Sequence, residues 1–334
     1  MLNYGFQKGL TLRETLQNGK RPCIYFVLPC YNEEPVLPQT SSILLSKVTF
    51  LIENKIISDS SRILFVDDGS RDSTWNIICD LHQSNPSLFG GVKLAHNRGH
   101  QNALLAGLTT AYKSGCDAAI SMDADLQDDV DVVDQFIAKY VEGYEVVYGV
   151  RSSRETDTWF KRNTALAFYS VFKWMGAETV PNHADYRLMG KNALKALLEY
   201  KEVNLFLRGI VPYIGFKSTK VEYVRGRRKA GVSKYPLKKM ISFAIDGITS
   251  FSTKPLSFVT FVGSASILVS LCVFIYVIVS VLQGKAVAGW GSIMFSMWFI
   301  GGLIMLSIGI VGEYIGKIYM ESKHRPRYEI ETTI

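Results

Sequence analysis

Cysteine is scarce and unpatterned: five residues in 334, Cys23, Cys30, Cys79, Cys116 and Cys272, with no two in a Cys-x-x-Cys spacing. That excludes a zinc ribbon or a disulfide scaffold and points to buried free thiols in a reducing compartment. Met1–Arg21 is mixed and polar, without an apolar signal core, so secretion is not expected. No Gly-x-Gly-x-x-Gly follows a strand-like run and no Walker sequence occurs; Gly226–Lys234 only mimics the latter, with Val232-Ser-Lys where Lys-Ser should stand. Both absences argue against dinucleotide binding and P-loop chemistry. Repeats and low-complexity tracts are also missing.

What is present begins with charge. The net charge of +7 is unevenly placed, since Lys201–Ser257 holds 12 Lys or Arg against 3 Asp or Glu, while the rest of the chain carries 25 against 27. A basic stretch just ahead of a long apolar run suits an anionic lipid surface or a phosphate ligand rather than nucleic acid.

The acidic counterpart is Ala118–Asp129, an apolar run that reads as a buried strand and ends in Asp123-Ala-Asp-Leu-Gln-Asp-Asp129. In extended geometry Asp123 and Asp125 leave the same face and can converge on one cation, with Gln127 offering a carbonyl oxygen two residues on. Oxygen ligands of this kind suit Mg2+ or Mn2+, which also bind substrate phosphates. Alone, such a pair is equally a polar strand end or a helix cap.

Its company changes that reading. Strand-like runs at Cys23–Leu28, Arg62–Val66, Gly91–Ala95 and Glu145–Gly149 alternate with helical stretches at 37–54, 72–84, 101–114 and 130–142. This alternation predicts a doubly wound, mostly parallel α/β sheet, with ligands beyond the carboxyl ends of its strands. Pro29-Cys-Tyr-Asn-Glu33, Asp67-Asp-Gly-Ser70, Asn97-Arg-Gly99 and Asp123-Ala-Asp125 all fall on that rim. Asp67 or Asp68 is placed to hydrogen-bond a ribose or base edge, and Gly69 lets the backbone turn.

Beyond Arg151 the composition shifts. Thr158–Met175 mixes aromatic and basic residues at helical spacing, as an interfacial helix or a packed one would. Arg225–Tyr235 gathers five cations in a Gly- and Ser-containing stretch, and Pro236–Phe251 reads as a juxtamembrane amphipathic helix. Phe258–Leu282 is apolar over 25 residues, about 37 Å as a helix, enough to cross a hydrocarbon core of about 30 Å. A second run at 292–311 predicts a transmembrane hairpin, with spans near 258–282 and 291–313. Only Lys285 lies in the connector, whereas Lys238, Lys239 and Lys254 precede the pair and Lys317, Lys323, Arg325 and Arg327 follow it. The positive-inside rule then puts the catalytic domain and the tail 317–334 in the cytoplasm, on a multi-pass plasma-membrane protein. Gly312-x-x-x-Gly316 is a weak signal for a homo-oligomer.

These motifs together resemble the inverting family 2 glycosyltransferases that charge a polyprenyl phosphate, among them dolichol-phosphate mannose synthase and the bactoprenol (undecaprenyl-phosphate) glucosyltransferases. Pro29-Cys-Tyr-Asn-Glu, Asp67-Asp-Gly-Ser-x-Asp-x-Thr, Asn97-Arg-Gly-His, Asp123-Ala-Asp-Leu-Gln-Asp and Arg228-Lys-Ala-Gly-Val-Ser-Lys234 occur in the family's order, from Ile24 to about Lys317. The resemblance implies a GT-A fold in which Pro29, Tyr31, Glu33, Val66, Asp68 and Ala124 hold the nucleotide. It implies that Asp123, Asp125 and Gln127 serve the metal, and that Arg151, Arg228 and Lys234 meet phosphates of donor or acceptor. Asp125 or Asp128 would assist orientation during transfer. One departure is Asp129, where the family often has Pro. The implied partners are a nucleotide sugar, UDP-glucose or UDP-N-acetylglucosamine, and undecaprenyl phosphate in a bilayer. A processive polysaccharide synthase would share the donor cleft, but the Gln-x-x-Arg-Trp motif those enzymes resemble one another in is absent; a non-catalytic membrane scaffold would have no use for the clustered acids.

Overall fold

The computed structural model describes residues 21–125, 127–151, 183–203, 205–224, 256–259, 261–263 and 289–334, with single positions at 265, 272, 275 and 283. The expected interfacial helix at 158–176, the basic stretch, the juxtamembrane helix at 236–257 and most of the first apolar span lie outside the described residues. The chain divides into two units, one of residues 1–167, 178–234 and 326–334, the other of 168–177 and 235–325.

The first unit is built on an eight-stranded sheet: β1 (Ile24–Cys30), β2 (Arg62–Asp67), β3 (Phe89–Leu94), β4 (Ala118–Ser121), β5 (Val146–Arg151), β6 (His183–Gly190), β7 (Ser218–Tyr223) and β8 (Ile330–Thr333), in the order β7-β5-β6-β4-β1-β2-β3-β8. β1 pairs in parallel with β2 and β4, β2 with β3, and β5 with β7. β6 runs against both β4 and β5, and β8 runs against β3. The sheet is therefore mixed, where the strand–helix alternation predicted a mostly parallel one. The alternation ends at β5, and β6 returns reversed into the gap between β4 and β5. Because the neighbours of β6 keep one direction, β1 to β5 and β7 all end on the same rim.

Both faces of the sheet are covered, which is why β1 is buried along its whole length and reads as a continuous apolar run. On one face Ile24, Phe26, Leu28, Ile63 and Phe65 pack with Leu37, Leu44, Val48 and Leu51 of helix α1 (Leu37–Glu53), Ile78 of α2 (Thr74–Ser84), and Val133, Phe136 and Ile137 of α4 (Val133–Val141). Helix α3 (His100–Lys113) lies on the other face, close enough that a Cβ on Gly107 would come within 2.4 Å of Val27 Cγ1 and 2.6 Å of Val66 Cγ2. Two short helices also belong to this unit, α5 (Lys191–Glu199) and α6 (Leu207–Tyr213).

The C-terminal residues, expected as a tail, form the edge strand β8. Gly91 and Ile334 exchange backbone hydrogen bonds at 3.0 and 2.9 Å, Tyr328 donates to Thr109, and Arg327 reaches the Tyr200 carbonyl.

In the second unit α7 spans Trp290–Ser322, 33 residues, about 50 Å long at 1.5 Å per residue. Its segment Phe299–Ser322 has a mean hydropathy of 1.7 and none of its apolar window is buried inside the protein. It extends nine residues beyond the expected end near 313. Among the described residues it is the one helix long and apolar enough to cross a membrane.

Candidate active site

Six strand ends open onto one rim, and their loops are tied to one another by side chains. The turn after β1 and the turn after β2 are cross-linked: Asn32 N–H donates to Ser70 Oγ at 3.0 Å, Arg71 N–H to Asn32 Oδ1 at 2.9 Å, and Glu33 N–H to Thr74 Oγ1 at 2.9 Å. Gly69 carries φ +67°, and a Cβ there would come within 2.6 Å of the Asn97 nitrogen, so only glycine lets this turn lie against the one after β3. Tyr31 is exposed beside these turns, whereas Val66 is buried.

The two adjacent aspartates that end β2 have different employment. Asp68 accepts from Arg98 N–H at 2.7 Å with one oxygen and from Gly99 N–H at 2.9 Å with the other, so it builds the turn into α3. Asp67 accepts from Ser70 N–H with Oδ1, but its Oδ2 is buried with no hydrogen-bond partner among the described residues. Burial pushes both carboxyls up, against the donors that pull them down. An orphaned buried oxygen costs about 1–3 kcal/mol, so Asp67 is the member of the pair left with an unmet demand for a donor.

At the end of β4, Thr40 of α1 donates to the Ala124 carbonyl at 2.6 Å and fixes the Asp123-Ala-Asp turn from beneath. Gln127 donates its backbone N–H to Asp125 Oδ1 at 3.2 Å, and Gln127 and Asp128 are both buried. Tyr223 donates to Asp128 Oδ1 at 2.5 Å; Arg151 donates through Nε to the Tyr223 oxygen at 3.3 Å and lies 3.6 Å from Asp128 through Nη2. Burial and then the Asp128 carboxylate push the Tyr223 phenol up, keeping it a donor. Asp129, the departure from the family pattern, accepts from Asp131 N–H at 2.9 Å and caps the helical turn Val130–Val132 that leads into α4.

Asp123 stands near other acids and His100. Burial pushes its carboxyl up; His100 opposes this, and Asp128, Asp185 and Asp125 add to it. His100 Nε2 stands 3.7 Å from Asp123 Oδ1 and 3.7 Å from Asp185 Oδ2. Burial alone would lower the imidazole, but Asp185 and Asp123 raise it. Asp185 in turn accepts from Arg187 Nη2 at 2.6 Å and from Arg208 Nε and Nη2 at 3.2 and 2.9 Å. Burial would push Asp185 up, yet Arg208, His100 and Arg187 hold it well below the usual carboxylate range.

The structure thus brings Asp123, Ala124, Asp125, Gln127, Asp128 and Arg151 together, with the turns carrying Pro29, Tyr31, Glu33, Val66 and Asp68 on the same rim; Arg228 and Lys234 lie outside the described residues. It adds His100, Asp185, Arg187, Arg208, Tyr186 and Tyr223, to which the sequence reading assigned no role. The period-two spacing of Asp185 and Arg187 was a usable signal that both leave one face of a strand. Among the described residues no three His, Cys, Asp or Glu side chains are grouped to enclose a metal ion. Asp123 and Asp125 lie on one loop after β4, and their carboxylates are oxygen donors of the type that Mg2+ or Mn2+ takes together with water and phosphate oxygens.

Three relatives are similar to the chain in sequence over most of its length. The chain is 53% identical over 311 residues to the uncharacterized glycosyltransferase YkoT of Bacillus subtilis (strain 168), covering 93% of this chain and 92% of the relative. It is 39% identical to the bactoprenol glucosyl transferase of Shigella phage SfV and 39% identical to the prophage bactoprenol glucosyl transferase homolog of Escherichia coli (strain K12). Each of these alignments covers 92% of this chain and 98% of the relative. Residues 25–198, which run from β1 through α5 and include the Asp123-Ala-Asp turn, match the family described as Glycosyl transferase family 2. On this match and these relatives, the chain belongs to glycosyl transferase family 2.

Proposed function

We propose that the protein transfers a hexose from a nucleotide sugar, UDP-glucose or UDP-N-acetylglucosamine, to undecaprenyl phosphate at a membrane surface, with inversion at the anomeric carbon. The observation that carries this reading is the gathering of Asp123 and Asp185 about His100 Nε2, 3.7 Å from each, on a rim where Asp67 Oδ2 has no hydrogen-bond partner among the described residues. The lipid acceptor is supported by the relatives named bactoprenol glucosyl transferases.

In this mechanism Asp67 accepts a donor from the base or ribose, and the exposed ring of Tyr31 flanks it. Asp123, Asp125 and Gln127 would hold Mg2+ or Mn2+, which supplies charge neutralisation for the departing nucleotide diphosphate. Arg151, Arg228 and Lys234 meet phosphate oxygens as paired donors. The acceptor phosphate is already ionised at neutral pH and attacks the anomeric carbon on the face opposite the leaving group. Such a nucleophile needs no strong general base, so the residues act by orientation and electrostatics.

A membrane setting is supported by α7 and by the fate of the chain after it. Residues 326–334 rejoin the sheet that contains β1. A single crossing by α7 therefore calls for a second one between Val224 and Trp290, where the apolar run Phe258–Leu282 lies. The short connector with Lys285 alone and the basic flanks favour a cytoplasmic sheet in a plasma-membrane protein.

The deciding experiment is transfer of glucose or N-acetylglucosamine from the UDP-sugar to undecaprenyl phosphate by membranes containing the protein, with the lipid product identified by mass. Wild-type protein should form the monophosphate-linked sugar in the presence of Mg2+ or Mn2+. Asp123→Asn should lose at least about 100-fold in rate while melting normally; a near-wild-type rate would rule out the assigned role of Asp123.

A further inference from the structure

Tyr223 is the last residue of β7, and two residues later the chain enters the basic stretch that begins at Arg225. Its register partner across the parallel pair is Arg151, the last residue of β5. The ring is buried and meets Tyr186 edge-on, with centroids 5.4 Å apart at 87°; Tyr186 packs in turn on Phe136 at 4.7 Å. From this seat the two phenols hold consecutive residues of the acidic loop. Tyr223 donates to the Asp128 carboxylate, and Tyr186 donates to the Asp129 carbonyl at 2.9 Å.

Packing requires only the ring, since phenylalanine fills the same space. The hydroxyl brings a polar atom into an aromatic cluster, which is unfavourable unless its hydrogen bonds are used. Both are: it donates to the anion Asp128 and accepts from the cation Arg151. Arg151 Nη2 is itself 3.6 Å from Asp128 Oδ1, so acid, base and phenol form one three-way contact, and without the hydroxyl the guanidinium can close further on the carboxylate.

We propose that the Tyr223 hydroxyl is a positioning group that sets the spacing of Asp128 and Arg151, and thereby the geometry of the loop bearing Asp125 and Gln127. This rests on the transfer reaction proposed above for its kinetic consequence, but not for its structural one. Tyr223 acts through Asp128 and Arg151 rather than by touching substrate.

The test compares full-length wild type, Tyr223→Phe, Asp128→Asn and the double variant. In the absence of substrates, amide hydrogen exchange of the segment 122–131 should quicken about fivefold or more in Tyr223→Phe, while β1 stays protected and the melting temperature is nearly unchanged. With UDP-glucose and undecaprenyl phosphate, Tyr223→Phe should lower kcat at least about tenfold and shift either KM by less than about threefold. In the Asp128→Asn background the same change should cost less than about twofold, because the partner it acts through is already altered. Unchanged exchange in the loop, or an equal kcat loss in both backgrounds, overturns the proposal. Should wild type transfer no sugar, the proposed function fails by itself, and the exchange measurement still decides the role of Tyr223.

Discussion

At the scale of single residues, the most consequential side chain outside the acidic turn is Asp185. It is the shared counter-charge of Arg187, which is almost wholly buried, and of Arg208, and it faces His100. Removing one member of such a group strands the others, a loss of about 3–5 kcal/mol. Asp185→Asn should therefore lower the unfolding free energy by that order, read as a fall in the denaturant midpoint. Because the folded-state carboxyl lies well below its ordinary value of about 3.9, its contribution is complete above that pH and is lost as pH falls through the folded value. Below about pH 4 the stability difference between wild type and Asp185→Asn should shrink as Asp185 takes a proton; at higher pH it should narrow as pH rises through the raised His100 value, where the imidazolium paired with Asp185 is lost. A difference that keeps growing below about pH 4 would contradict the assigned direction.

Residue identities on the rim were legible wherever the chemistry is local. Asp-x-Asp after an apolar run, Asp-Asp-Gly-Ser after another, and the turn residues between them all announce themselves by short spacing. The division of labour between Asp67 and Asp68 was not legible, because it depends on which oxygen meets the amides of Arg98 and Gly99, thirty residues away. Tyr223 escaped notice for a similar reason. A tyrosine at the end of a strand is ordinary, and only the fold sets it between an acid and a base that are distant in sequence.

At the scale of elements, β1 to β5 and the helices between them follow from apolar runs of strand length alternating with helical periodicity. β6 does not. Its residues Asp185 and Arg187 are charged and yet buried, opposite to what patterning assumes, so the run does not read as a core strand. Helix α6 is short and carries Pro212 inside it, which argues against a helix on propensity alone. Elements pack closely where α3 crosses β1 and β2 at Gly107. Gly107→Ala would usually favour a helix, but here the added carbon meets Val27 and Val66 well inside contact distance. The substitution should destabilise the protein by about 1–3 kcal/mol and loosen the start of α3, where His100 sits. A Gly107→Ala variant that melts at or above the wild-type temperature would show that α3 can shift without cost.

At the scale of the whole chain, the apolar run within α7 was legible from length alone, whereas the return of residues 326–334 to the sheet was not. Ile330–Thr333 is four residues long and exposed, and its strand identity comes only from the edge of β3 beside it. Deleting residues 326–334 would leave that edge unpaired and withdraw Ile334 from Gly91 and Ile78. The shortened protein should melt lower and scatter light earlier on heating, as exposed strand edges associate; an unaltered melt and scattering trace would mean that β8 is ornamental.

That strand also orders events in time. A ribosome delivers β1 to β4 early and β8 long afterwards, yet β3 is bordered by β8. Through most of synthesis the sheet consequently has every rim aspartate in place and an open seam along β3.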